Sequence, residues 1–174
     1  LFKTVGDANV SVNLMGSGTI FREVIAAADL LAEDFGLKVN VFSTPSFNKL
    51  HRDGMAVNRH NMLNPTAPQA KAFVTKQLEK TGAQVTVAST DYIRSFADKI
   101  REFVPGKYVT LGTDGFGRSD YRVALREFFE VNRYYVAVAA LKGLADAGLI
   151  SAQVVADAIA KYGINANKAN PWEV

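Results

Sequence analysis

VSVNLMGSGTIFREVIAAADLLAEDFGLKVNV, residues 10–41, changes its apolar period twice, and those changes settle the architecture. Val10, Val12 and Leu14 alternate with Ser11 and Asn13, the period of a strand, until Gly16-Ser17-Gly18 turns the chain. Ile20, Val24, Ala27 and Leu31 then recur at helical spacing as far as Gly36, which can take the left-handed conformation that ends a helix. Leu37, Val39 and Val41 resume the period of two. A strand, a helix and a strand joined this way imply a crossover connection between parallel neighbours.

Downstream the alternation repeats. Thr44 and Pro45 offer an N-cap and a first-turn proline for a short helix, after which residues 51–68 read as a long polar loop blocked by Pro65 and Pro68. Ala72, Val74 and Leu78 fit a helix better than an edge strand. Val85, Val87 and Ala88 make the next strand, and Asp91 to Val104 reads as an amphipathic helix through Ile93, Phe96, Ala97, Ile100 and Phe103. Tyr108 to Leu111 forms a strand that delivers a glycine-rich loop, Gly112 to Asp120, before a helix carrying Val123, Leu125, Phe128 and Phe129. Two more helices follow, one through Val136 and Leu144 up to Gly148, the other capped by Ser151 and ending at Gly163; the tail from Asn165 to Val174 is expected to be loose. The expected fold class is therefore α/β, a three-layer arrangement of a mainly parallel β-sheet with helices on both faces, in one domain over residues 1–174.

Composition narrows the function. A chain of 174 residues that is 48% hydrophobic and 21% charged can bury a core, and its net charge of +3 is scattered, with no basic stripe for nucleic acid. It holds no cysteine, which removes disulfides, thiolate metal sites and cysteine nucleophiles. The uncharged runs are too short to cross a bilayer, so no membrane partner is expected. A start at Leu1 followed soon by a strand reads as a fragment of a longer protein.

Three groups of residues could carry chemistry. Gly16-Ser17-Gly18-Thr19, between a strand and a helix, could hold a phosphate, but Phe21 stands where the dinucleotide fingerprint needs its third glycine, so backbone geometry explains these glycines better. Gly112, Gly115 and Gly117, with Asp114, Arg118, Ser119 and Asp120, lie at a strand's carboxyl end, where open α/β sheets place ligands. The plainer account has Ser119 or Asp120 capping the next helix and Arg118 paired with a carboxylate. His51-Arg52-Asp53 and Arg59-His60 put both histidines in one polar segment, which suits a loop or subunit contact better than a metal site. No Gly-x-Ser-x-Gly elbow is present. Trp172, Tyr134, Tyr135, Phe128 and Phe129 give the last third an excess of aromatics suited to a dimer face.

The string Thr110-Leu111-Gly112-Thr113-Asp114-Gly115-Phe116-Gly117-Arg118-Ser119-Asp120 resembles the C-terminal domain of the homodimeric pyruvate dehydrogenase decarboxylating component. Leu14-Met15-Gly16-Ser17-Gly18, Arg52-Asp53-Gly54 with Asn61-Met62-Leu63, Val87-Ala88-Ser89-Thr90-Asp91-Tyr92 and Val154 to Lys161 extend the resemblance over nearly the whole chain. Asp114, Phe116, Gly117 and Ser119 also match a shorter Asp-x-Phe-Gly-x-Ser loop of transketolases, so the fold implied is that of their C-terminal domain. The resemblance implies a parent enzyme that uses thiamine diphosphate and magnesium to decarboxylate pyruvate and reductively acetylate lipoyl groups. In that family the diphosphate-magnesium motif and the activating glutamate belong to the other domains. No catalytic, cofactor-binding or metal-binding residue is therefore implied here, and the fragment alone is expected to be inactive. Its implied partners are the other domains of the same chain and a second subunit, in the bacterial cytoplasm, with the dihydrolipoyl acetyltransferase as a further candidate. The alternative from another class is a free-standing α/β module that binds a phosphate-bearing ligand at the Gly-rich strand-helix turns.

Overall fold

The structure is a computed structural model that describes residues 1–174. Five strands form one sheet in the order β1-β3-β2-β4-β5. They are β1 (Lys3–Val5), β2 (Ser11–Gly16), β3 (Lys38–Ser43), β4 (Val85–Ile93) and β5 (Lys107–Thr113). β1 runs antiparallel to β3, and every other pairing is parallel. Sequence periodicity passed over β1, whose three residues are too few to show a period of two. Register aligns Val12 with Val39, Leu14 with Val87 and Val87 with Val109, so one face of the central strands is a continuous apolar surface.

That face is covered by α1 (Phe21–Phe35) and α6 (Arg133–Asp146), with α7 (Ala152–Lys161) packed on α6. Val24, Ala27, Ala28 and Leu31 of α1 meet Val136, Ala137, Leu141 and Leu144 of α6 in a cluster of 20 buried residues. Gly36, Gly148 and Gly163 each carry positive φ just past these helices, as expected of helix stops. Asn132 caps α6 by accepting from the backbone N–H groups of Tyr134 and Tyr135, whereas Ser151 stands at the start of α7 without a capping bond.

The opposite face is covered by α2 (Phe47–Leu63), α3 (Phe73–Glu79) and α4 (Ser95–Asp98), which build a second cluster of 12 buried residues around Met15, Phe42, Phe47, Leu78, Ile100 and Phe103. Three expectations fail here. Residues 51–63 are helical: Ser46, not Thr44, is the N-cap, with its hydroxyl accepting from the Lys49 N–H, and only Phe47 and Gly54 of α2 are buried. A helix that shows so little apolar surface carries no stripe to read, so its polarity imitates a loop. Gly54 lies against the Phe103 ring, where a Cβ would come within 2.3 Å.

The helix expected over Asp91 to Val104 is in fact the end of β4, then the single turn α4, then a 3-10 turn at Arg101–Phe103. Ala97, Ile100 and Phe103 are buried as the spacing implied, but Ile93 is exposed on the strand. The tail is also anchored. Lys168 donates to the carbonyls of Glu127 and Phe128, at the end of α5 (Arg122–Phe128), and the Trp172 backbone lies against Gly115. No helix is long and apolar enough to cross a membrane.

Candidate functional site

From β2 the chain passes through α1 to β3 on one side, while β4 lies on the other. The carboxyl ends of β2 and β4 therefore flank the point where strand order reverses, the usual ligand crevice of an open α/β sheet. The last residue of β2 is Gly16, where a Cβ would meet the Phe21 ring at 2.8 Å. The turn that follows is closed by groups from β4, whose ladder to β5 slips between Ser89 and Ile93. Thr90 accepts from the Tyr92 N–H, and the bent strand end lays Asp91 and Tyr92 over the turn. Thr19 donates to the Asp91 carboxylate at 2.8 Å, and the Ser17 and Tyr92 hydroxyls bond at 3.1 Å. Gly18, at positive φ, would place a Cβ 3.1 Å from the Asp91 carboxylate. The turn weighed as a phosphate cradle thus already faces an anion of the chain itself.

The loop after β5 is fixed in a similar way. Gly112 allows Arg94 to cross within 2.9 Å of where a Cβ would be, and Arg94 pairs with Asp114 at 2.9 Å. Asp114 also accepts from the Gly115 N–H. Asp120 accepts from the N–H of its neighbour Tyr121, which is the N-cap, so neither Ser119 nor Asp120 caps α5 through its side chain. Arg118 meets no carboxylate; its guanidinium lies 4.3 Å from the centre of the Phe128 ring. The cation–π contact takes the place of the expected ion pair. Phe116, at the tip, is 95% exposed.

Between these two loops lies a cleft of about 290 Å³. Its lining includes Thr19, Asp91 and Thr113, the three arginines Arg118, Arg122 and Arg126, and the apolar Leu125 and Phe129. Arg126 is tied to Glu23 at 2.8 Å, and Glu23 also accepts from the side chain and backbone of Arg133. Burial pushes the Glu23 carboxyl up, but the hydrogen bonds from Arg133 and the charges of both arginines outweigh it and hold the group below its ordinary range. Arg122 and Arg126 were missed in the sequence. The signal was there, since Arg118, Arg122 and Arg126 recur every fourth residue.

The histidine-bearing group lies elsewhere, on α2. His51 rests near the Phe103 ring, and Arg52 shares a polar surface hollow with Lys49 and Asp53. Asp53 accepts from the Phe73 N–H at 2.6 Å and so holds the start of α3. Arg59 is exposed, and His60 hydrogen-bonds with Asn64, at its own helix end. No hydrogen bond or ion pair links this group with Asp114, Arg118, Ser119 and Asp120. Neither acidic-glycine pair suits a magnesium diphosphate. Asp53 is engaged by α3 and Asp114 by Arg94, and Gly54 is pressed on Phe103.

Comparison with known proteins agrees with this architecture. The family model of the transketolase-like TK C-terminal domain matches residues 2–132. The pyruvate dehydrogenase E1 component of Cupriavidus necator is 56% identical over 163 residues, 94% of this chain and 18% of that protein. The E1 components of Pseudomonas aeruginosa and Escherichia coli K12 are 55% and 47% identical, over 93% and 97% of this chain. The chain spans only 18–19% of the length of these relatives and corresponds to their C-terminal part. A solved structure described as a split gene transketolase, inactive beta4 tetramer, superposes with a TM-score of 0.52 at 16% identity, covering 82% of this chain and 42% of that one, a likeness of fold alone. With three quarters of its residues inside the family model and relatives of such identity, the chain belongs to the transketolase-like C-terminal domain family and is homologous to the C-terminal region of the bacterial pyruvate dehydrogenase E1 component.

Proposed function

We propose that residues 1–174 form the C-terminal structural and dimerisation domain of a pyruvate-decarboxylating enzyme of the bacterial cytoplasm. The parent would use thiamine diphosphate and magnesium to decarboxylate pyruvate and reductively acetylate lipoyl groups, with the reacting groups carried by its other domains. This domain's part is to pack against those domains and a second subunit.

One observation carries the reading. Phe116 is 95% exposed at the tip of a loop that is otherwise held fast by the Arg94–Asp114 pair and by Gly115 against Trp172. Tyr121 and Val123, just beyond it, are exposed too. A loop tied down at its base loses less freedom on contact, and such aromatics are typical interface anchors. The aromatics counted from the sequence divide accordingly. Phe128 meets Phe129 edge-on and Tyr134 lies tilted against Tyr162, while Trp172 stays half-exposed beside the loop. The rigid walls an active site between subunits requires would come from this well-covered sheet.

The test uses the full-length enzyme with Phe116→Asp. The dimer dissociation constant, followed by sedimentation, should rise at least about tenfold, the loss of roughly 1.4 kcal/mol, while the circular dichroism melt holds. Unchanged association would overturn the assignment of this rim. Unchanged association with weakened capture by the acetyltransferase would transfer the rim to that partner.

A further inference from the structure

We propose that the arginine-lined cleft at the strand-order switch binds a small organic oxyanion, one with a carboxylate or phosphate head and an apolar body. The proposal does not depend on the dimer assignment above and uses different residues.

Position is the first ground. The cleft lies at the carboxyl ends of β2, β4 and β5, lined by Thr19 and Ile20 just after β2, by Asp91 and Ile93 at the end of β4 and by Thr113 at the end of β5. Charge is the second. Of its three arginines, Arg126 is neutralised by Glu23, which it shares with Arg133. Arg118 and Arg122 have no carboxylate partner, and both are exposed to the cleft mouth. Asp91, which accepts from the Thr19 hydroxyl, keeps its negative charge, but it stands against two unpaired arginines, so the lining is net cationic and the ligand's head belongs on the arginine side, away from Asp91.

Preorganisation is the third. Arg118 lies over the Phe128 ring, 4.3 Å from its centre, a contact that restrains a side chain whose forked donors suit carboxylate and phosphate. The apolar floor of Ile20, Leu125, Phe129 and Val131 would receive the ligand's body, and a volume of about 290 Å³ admits only a small one.

The experiment titrates the 174-residue chain with phenyl phosphate, benzoate and inorganic phosphate, observing the arginine side-chain Nε–H resonances by NMR. Phenyl phosphate or benzoate should shift Arg118 and Arg122 and leave Arg52 on α2 unmoved. Inorganic phosphate, without an apolar body, should bind at least about fivefold more weakly than phenyl phosphate. A phosphate preference would appear as weakening when pH falls through about 6, the second ionisation of a phosphate ester, whereas benzoate would hold its affinity.

R122Q, at an exposed position, should weaken binding about tenfold, the value of one charge-assisted hydrogen bond. R118K keeps charge and fold but loses the fork, and should weaken it less. Absence of any shift at about 20 mM probe, beyond which affinity would carry little meaning, overturns the proposal. So does wild-type affinity in R122Q, or shifts of equal size at Arg52.

Discussion

On one face of the sheet, α1 and α6 lay long apolar stripes over Val12, Leu14, Val39, Val41, Val85 and Val87, and every one of these strand residues is essentially inaccessible. On the other face, the same strands present Asn13, Asn40 and Thr86, also buried, which bond side by side across the sheet. Asn40 donates to Asn13 at 3.2 Å, Asn13 donates to Thr86, and Thr4 of β1 extends the row to Asn40. The first face is held by apolar area, laid down by the continuous stripes of α1 and α6. The second is held by a smaller cluster and by individual polar ties: Asp53 to the α3 backbone, Thr75 to the Phe103 carbonyl, Tyr108 to the Ala97 carbonyl. Even the 17-residue α2, with only Phe47 and Gly54 buried, needs no long stripe when its neighbours are pinned one at a time.

The comparison breaks first at Leu144. This side chain is fully buried between α6 and the sheet. Leu144→Ala should cost about 2–5 kcal/mol, because the close-packed neighbours can only partly fill the space left. Chemical denaturation would read it as a lower midpoint at unchanged slope. A loss below about 1 kcal/mol would mean that the first face is far more adaptable than its burial implies.

Asn13 is the matching site on the second face. Asn13→Ala removes the middle of the polar row and leaves the Asn40 amide and the Thr86 hydroxyl short of a partner, a cost of about 1–3 kcal/mol. Asn13→Leu would show which term matters more. If added apolar area recovered the loss, this face could equally have been built like the first, and the contrast would lie in history more than in physics. A net destabilisation by both variants would show that the row is needed as a unit.

The same contrast explains what could be read in advance. β2, α1, β3, β5, α6 and the stops at Gly36, Gly148 and Gly163 were legible because each is built on the apolar face and carries its period openly. α2 was not, since a helix with two buried residues hides its period. The stretch after Asp91 failed for another reason. Ala97, Ile100 and Phe103 recur at a helical interval, but a bulged strand end and two separate turns supply that interval equally well. At the site, the glycines were placed correctly at strand ends, while their partners were not visible. Asp91 over Gly18, Arg94 across Gly112 and Trp172 against Gly115 are encounters between segments distant in sequence. Arg118 was expected to seek a carboxylate, and found an aromatic ring ten residues on instead.

Glu23 gives the smallest effect and the sharpest test, because it is the one buried charge in the protein and it belongs to α1, on the apolar face. Its two oxygens bridge α1 to Arg126 of α5 and Arg133 of α6. Removing one partner of a deeply buried ion pair can cost about 3–5 kcal/mol, but Arg133 is half in solvent and glutamine still accepts from it, so Glu23→Gln should cost only about 1–2 kcal/mol. The pH dependence follows from the lowered carboxyl. A group more acidic in the folded than in the unfolded chain contributes its stability above the unfolded value, about 4.3 for glutamate, and loses it as pH falls through the folded value beneath that. The gap between wild type and variant should therefore be full at pH 7 and close at pH below about 4. A gap that persists into acid would assign the loss to packing. Then even the charge on this face would be acting as volume, and the division between a face held by area and a face held by polar bonds would be complete.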